Sequence, residues 1–73
     1  MPTEEARKLT AILEELSGRT LSAVEVAAAL GMNQSRYYRE VHAGRLITQN
    51  NLATAATNLG IDLPLLRRAC GLP

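Results

Sequence analysis

The chain has no phenylalanine and no tryptophan, and it carries one cysteine and one histidine among 73 residues. Cys70 therefore has no partner for an internal disulfide. One Cys and one His, with no Cys-x-x-Cys spacing, cannot assemble a zinc site within a monomer. Cys70 reads instead as a small apolar helix residue, and no metal or other cofactor is expected. His42 has no evident acid or nucleophile partner, no glycine-rich loop is spaced to cradle a phosphate, and so short a chain does not easily enclose a substrate pocket. An enzyme is not expected, and no residue receives a catalytic role. Long apolar runs are missing too, so neither a membrane span nor a signal peptide is expected; the reading is of a cytoplasmic protein with no membrane partner.

What is present is mostly alanine and leucine, patterned for helices. The 73 residues make one small domain, 1–73, near the size at which a single core only just offsets chain entropy. Net charge is only +1, but its distribution is uneven. Glu4, Glu5, Glu14 and Glu15 load acid onto the first predicted helix, whereas Arg36, Arg39 and Arg45, with His42, cluster in and just after the third. A locally basic face can bind phosphate even when the whole chain is nearly neutral.

The stretch from Leu21 to Gly44 organises the rest. Ser22 is a good N-cap, Glu25 closes a capping box with it, and Leu21 can staple onto Val26. A helix from Ala23 to Leu30 follows, ended by Gly31, which tolerates the left-handed conformation. A second helix begins within a few residues, capped by Asn33 or Ser35, and runs to about His42 before Ala43-Gly44 breaks it. Two helices joined so tightly cross steeply instead of lying antiparallel, the helix-turn-helix arrangement. Counting from Gly31 would bury Tyr37; counting back from Gly44 would bury Tyr38 and Val41. The second count is preferred because Tyr38 and Val41 lie three apart. It leaves Ser35, Arg36 and Arg39 outward.

The flanking chain supports this unit. Thr3 can cap a first helix in which Glu4 and Glu5 complement the dipole and Leu9, Ile12, Leu13 and Leu16 form one face, ending before Gly18. Glu4 with Lys8 and Glu15 with Arg19 are spaced to pair along it. Arg45 to Thr48 is a connector in which Leu46 or Ile47 turns inward. Thr48 can cap a fourth helix with Leu52, Ala55, Ala56 and Leu59 on one face, Gly60 at its end and Ile61 folded back; its other face, Asn50, Asn51, Thr54, Thr57 and Asn58, is polar but uncharged. Asp62 can cap a last helix that accepts Pro64 in its first turn, with Leu65, Leu66, Ala69 and Cys70 inward. The fold class is all-α, five helices at about 4–17, 23–30, 34–42, 49–59 and 63–70.

The run Ala27-Ala28-Ala29-Leu30-Gly31-Met32-Asn33-Gln34-Ser35 resembles the Cro and lambda-type repressor (XRE-like) helix-turn-helix family. It has a small residue four before the turn glycine, an apolar plug after it, and a Gln-Ser pair opening the second helix. The YYREVHAG ending is similar to actinobacterial and phage members. The resemblance implies a compact lambda-repressor-like domain whose third helix enters the major groove while the second lies across the backbone. Chemistry then distributes the roles. Arginine matches guanine O6 and N7 with two donors, and glutamine matches adenine N6 and N7, so Arg36 and Arg39, then Gln34 and Ser35, are the candidate base contacts. Ser22, Tyr37, Arg45, Thr48, Gln49 and Asn50 are the candidate phosphate contacts, several of them at helix starts where amides face outward.

A single small reader covers few base pairs, so a homodimer, at least on DNA, is expected on a roughly palindromic operator, with half-site centres about 10 base pairs apart or a multiple of that. In the family the fifth helix often lies near the dimer contact, which makes Leu63, Leu66 and Leu72 candidates. The implied function is a transcriptional regulator that blocks a promoter, cytoplasmic and nucleoid-associated when bound, and controlled by its own concentration. Two other readings stand beside it: the N-terminal DNA-binding half of a longer repressor, and a helical adaptor or anti-repressor that binds no DNA.

Overall fold

Five side-chain oxygens decide where the helices begin. In the computed structural model, which describes residues 3–72, Thr3, Ser22, Asn33, Thr48 and Asp62 each accept the backbone N–H three residues on. They open α1 (Glu4–Ser17), α2 (Ala23–Ala29), α3 (Gln34–Ala43), α4 (Gln49–Leu59) and α5 (Leu63–Ala69). Met1, Pro2 and Pro73, the ends of the expected domain, lie outside the described residues. Asn33, not Ser35, is the cap of α3, and the Ser22–Glu25 capping box closes in both directions. The fold is all-α, with no strand among the described residues.

Gly31 sits in the turn between α2 and α3 with φ of +72°. A side chain there would be strained by that angle, and its Cβ would also meet Thr54 Cγ2 of α4 at 3.4 Å. The turn lies close against α4 at this point.

The core is built from leucines with alanines where helices approach closely. Leu9, Leu13, Val26, Leu46, Leu52 and Leu66 are fully buried, and Ala6, Ala27 and Ala55 are nearly so. Ile12, Leu16, Ile47, Leu59, Leu63 and Leu72 pack partly buried around them. Between helices, α4 packs on α5 and α2, and α1 packs on α5. The main helix partner of α3 is α2, so one side of α3 is anchored and the other is left to solvent. The radius of gyration is 10.8 Å, close to the value of about 11 Å expected for a compact chain of this length. Exposure of α3 therefore reflects its position at the edge of a packed body. No helix among the described residues is long and apolar enough to cross a membrane.

The structure corrects the register of α3. Tyr37 is 5% exposed and Tyr38 48% exposed, the reverse of the order expected from Gly44. The inward pair is Tyr37 and Val41, four residues apart, as the count from Gly31 gives. The physical reason lies in the neighbours. Ala6, Thr10 and Ala11 of α1 and Ala23 of α2 line a cleft of about 250 Å³ together with Tyr37. Tyr37 faces these residues of α1 and α2 and is covered by them, while Tyr38 faces solvent. Tyr37 is thus part of the core and is withdrawn from the phosphate contacts.

The last helix needs a correction as well. Leu66 and Cys70 face inward, but Leu65 is 43% exposed and Ala69 is exposed. Leu66, wholly buried in its own chain, offers nothing to a dimer surface. The helix is short, and only the i, i+4 pair Leu66 and Cys70 is fully withdrawn into the core, with Leu63 partly buried beside it. Burial pushes the Cys70 thiol up, with Lys8 acting weakly the other way, so the thiol stays protonated and unreactive near neutral pH.

Candidate nucleic-acid interface

The outward side of α3 follows from its buried pair. With about 100° between successive residues, the direction opposite Tyr37 and Val41 passes through Arg39. Ser35 and His42 flank it on one side and Arg36 on the other, and all four are exposed, as is Gln34. The corrected register turns this face by roughly 50°, from one centred near Arg36 to one centred on Arg39. Arg39 therefore gains the central place, and His42 comes into the face. Among the described residues, no side chain of Gln34, Ser35, Arg36, Arg39 or His42 forms a hydrogen bond or ion pair within the chain; only the backbone N–H of Arg36 is used, by the Asn33 cap.

Glu40, the one acid on this helix, is turned away and engaged. Its Oε2 accepts from Arg45 Nε at 3.3 Å. Arg45 remains 69% exposed in its side chain, so it keeps donors for another acceptor, with part of its charge offset. Neither Glu4–Lys8 nor Glu15–Arg19 pairs; among the described residues the ion pair formed is Glu40–Arg45.

Bonds across the chain hold α3 and its connector in place, and these were not visible in the sequence. Glu5 of α1 accepts the backbone N–H groups of Leu46 and Ile47, at 3.2 Å each, just beyond α3. Glu14 accepts the N–H of Leu21 at 2.8 Å, fixing the entry to α2. Asn58 Nδ2 donates to the Ala29 carbonyl at 2.9 Å at the end of α2, and Asn51 Nδ2 donates to the Leu46 carbonyl at 2.8 Å. Two of the four acids on α1 are therefore used to tie down loops on either side of the helix-turn-helix. Each satisfies backbone donors that no helix supplies with partners.

The remaining phosphate candidates fall at two helix starts that differ in charge. At α2, the Ser22 hydroxyl accepts the Glu25 N–H and the Glu25 carboxylate accepts the Ser22 N–H. The Ser22 backbone N–H first, and then the Ser22 hydroxyl, hold the Glu25 carboxyl below the ordinary glutamate value. A carboxylate already occupies the place an anion would take. At α4, Thr48 caps through Asn51, Gln49 and Asn50 are exposed, and no acid lies in the first turn. Arg67 of α5 reaches this end, its Nη1 donating to Gln49 Oε1 at 3.5 Å. No group of His, Cys, Asp and Glu among the described residues could hold a metal ion.

Compared with known proteins, the chain matches no family model, no curated protein and no solved structure.

Proposed function

We propose that this domain is a sequence-specific double-stranded DNA-binding transcriptional regulator of the Cro-like or repressor-like kind, inserting α3 into a major groove and blocking a promoter. The observation that carries this reading is the outward face of α3. Arg36 and Arg39 stand in solvent with no partner in the chain among the described residues, beside Ser35, Gln34 and His42, on a helix whose only acid is bonded elsewhere. Two cations with free planar donors are what guanine edges and phosphates accept.

In this reading Arg36, Arg39, Gln34 and Ser35 meet bases. Arg45, Thr48, Gln49 and Asn50 meet phosphates, with Arg67 adding a cation at the start of α4. Ser22 is the weakest of the phosphate contacts because Glu25 shares its helix end. A homodimer forms at least on DNA, over a roughly palindromic operator, and the apolar surface of α5 that it would use is Leu63, Leu65 and Leu72.

Fluorescence anisotropy with a random duplex at low and moderate salt tests the proposal. With two phosphate-binding cations, Arg45 and Arg67, binding weakens by about 12-fold between about 50 and 200 mM salt. A flat or absent response overturns it and favours the adaptor reading.

A further inference from the structure

We infer that Tyr38 is a specificity-determining residue that packs its ring on the C5 methyl group of a thymine. The inference rests on the duplex-binding reading above and extends it to a base preference at a residue given no role there.

Tyr38 is 48% exposed, one of three large apolar side chains left so among the described residues; the others, Val24 and Leu65, lie on α2 and α5. Its ring is not loose. It meets Tyr37 edge-on, with centroids 5.5 Å apart and planes at 65°, and Tyr37 is itself locked in the core. One edge of the Tyr38 ring is thus held while the rest is open to solvent.

The position on the helix matters as much as the exposure. Ser35, Tyr38 and His42 fall at i, i+3 and i+7, a stripe running beside the cationic stripe of Arg36 and Arg39. An α-helix with its side chains is about 10–12 Å across, and a major groove is about 12 Å wide, so a helix seated there brings both stripes against the groove. The arginines supply the attraction to phosphate and the donors for guanine. The aromatic stripe supplies apolar surface, and the apolar group that the major groove presents is the thymine methyl. Charge complementarity brings the duplex to this face, and a half-exposed ring pre-positioned by its neighbour then loses little freedom on contact.

The test uses a duplex selected by the wild-type protein from a random pool, with each thymine replaced in turn by uracil, which removes only the methyl group. One replacement is expected to weaken the wild-type protein and Tyr38→Phe about fourfold, the worth of one buried methyl. Tyr38→Ala is expected to bind the thymine duplex more weakly and to be indifferent to that replacement. The inference is overturned if no uracil distinguishes wild type from Tyr38→Ala, or if Tyr38→Phe weakens every duplex alike, which would place the hydroxyl on a phosphate. Should the wild-type protein select no duplex, the DNA-binding reading itself fails, and this inference with it. Circular dichroism of the variants separates these outcomes from misfolding.

Discussion

Helices α3 and α4 are built by the same local devices and put to different work. Each starts at a side-chain cap, Asn33 or Thr48, and each ends on a left-handed glycine, Gly44 or Gly60. Neither has an acid in its first turn. Yet α4 buries Leu52, Ala55 and Ala56 and turns two of its amides, Asn51 and Asn58, onto carbonyls of its own chain. In contrast, α3 buries only Tyr37 and Val41 and, Glu40 apart, leaves its polar side chains in solvent. Polar side chains that are satisfied inside the molecule hold it together, whereas those without partners are available to something outside it. Capping and helix length do not distinguish the two cases, but the destination of each side-chain donor does.

The sharpest way to break the comparison is at its anchor. Tyr37→Ala removes a buried ring from the core where α3 meets α1 and α2 and is expected to cost about 3–5 kcal/mol, comparable with the whole stability of so small a domain. Tyr38→Ala, one residue on, is expected to leave the urea midpoint nearly unchanged. Equal losses from the two would mean that the register of α3 has been misassigned.

Next in size is the outward face. Arg39→Ala is expected to leave the thermal midpoint within about a degree of wild type, since surface changes rarely move stability much. It should lower affinity by about 1–3 kcal/mol at one base position. Arg45→Ala, at a residue already shared with Glu40, should weaken all duplexes alike and reduce the salt slope by about one. Competition binding against a panel of single-base variants measures both. If the two substitutions act equally on every duplex, Arg39 is not at the bases.

The pair of tyrosines also marks where the sequence stopped being informative. Four of the five caps were readable outright and the fifth was narrowed to Asn33 or Ser35, because each bond spans three residues and such a bond depends on local chemistry alone. The apolar faces of α1 and α4 were readable because their buried residues recur at helical spacing. The inward side of α3 was not, because two adjacent tyrosines satisfy either count. The choice is made by where α1 and α2 lie: Ala6, Thr10 and Ala23 of those helices share a cleft with Tyr37, while Tyr38 is left half-exposed. The carboxylate of Glu5 reaches Leu46 across 41 residues of chain, and no pattern within a helix announces such a bond. Among the candidate interface residues, the exposure of Arg36 and Arg39 was legible, while the centre of the face depended on that same unreadable packing.

Removing an amide from α4 tests the other half of the comparison. Asn58→Ala leaves the Ala29 carbonyl without its donor and is expected to cost about 1 kcal/mol of stability, with the affinity of the folded protein unchanged. Denaturant titration and binding on the same samples give the two numbers. A loss of affinity without a loss of stability would move Asn58 from the scaffold to the interface and erase the contrast between the helices.

The smallest expected effect concerns a helix that neither binds freely nor lacks a partner. At the start of α2 the Glu25 carboxyl is held below its ordinary value, first by the Ser22 backbone N–H and then by the Ser22 hydroxyl. A carboxyl whose folded value is depressed binds protons more readily in the unfolded chain. Its contribution is therefore complete above the unfolded value and is lost as pH falls through the folded one. Glu25→Gln keeps an acceptor but removes the charge. Its thermal midpoint should lie below wild type at neutral pH, and the gap should close on acidification below about pH 4, where the wild-type carboxyl is increasingly neutral as well. Duplex affinity of the same variant is the more telling reading. If α2 crosses the DNA backbone, removing this charge should strengthen binding to every duplex, because a phosphate no longer faces a carboxylate at that helix end. If affinity stays unchanged while the midpoint shifts, Ser22 is only a cap, and the phosphate contacts lie at α4 and Arg45.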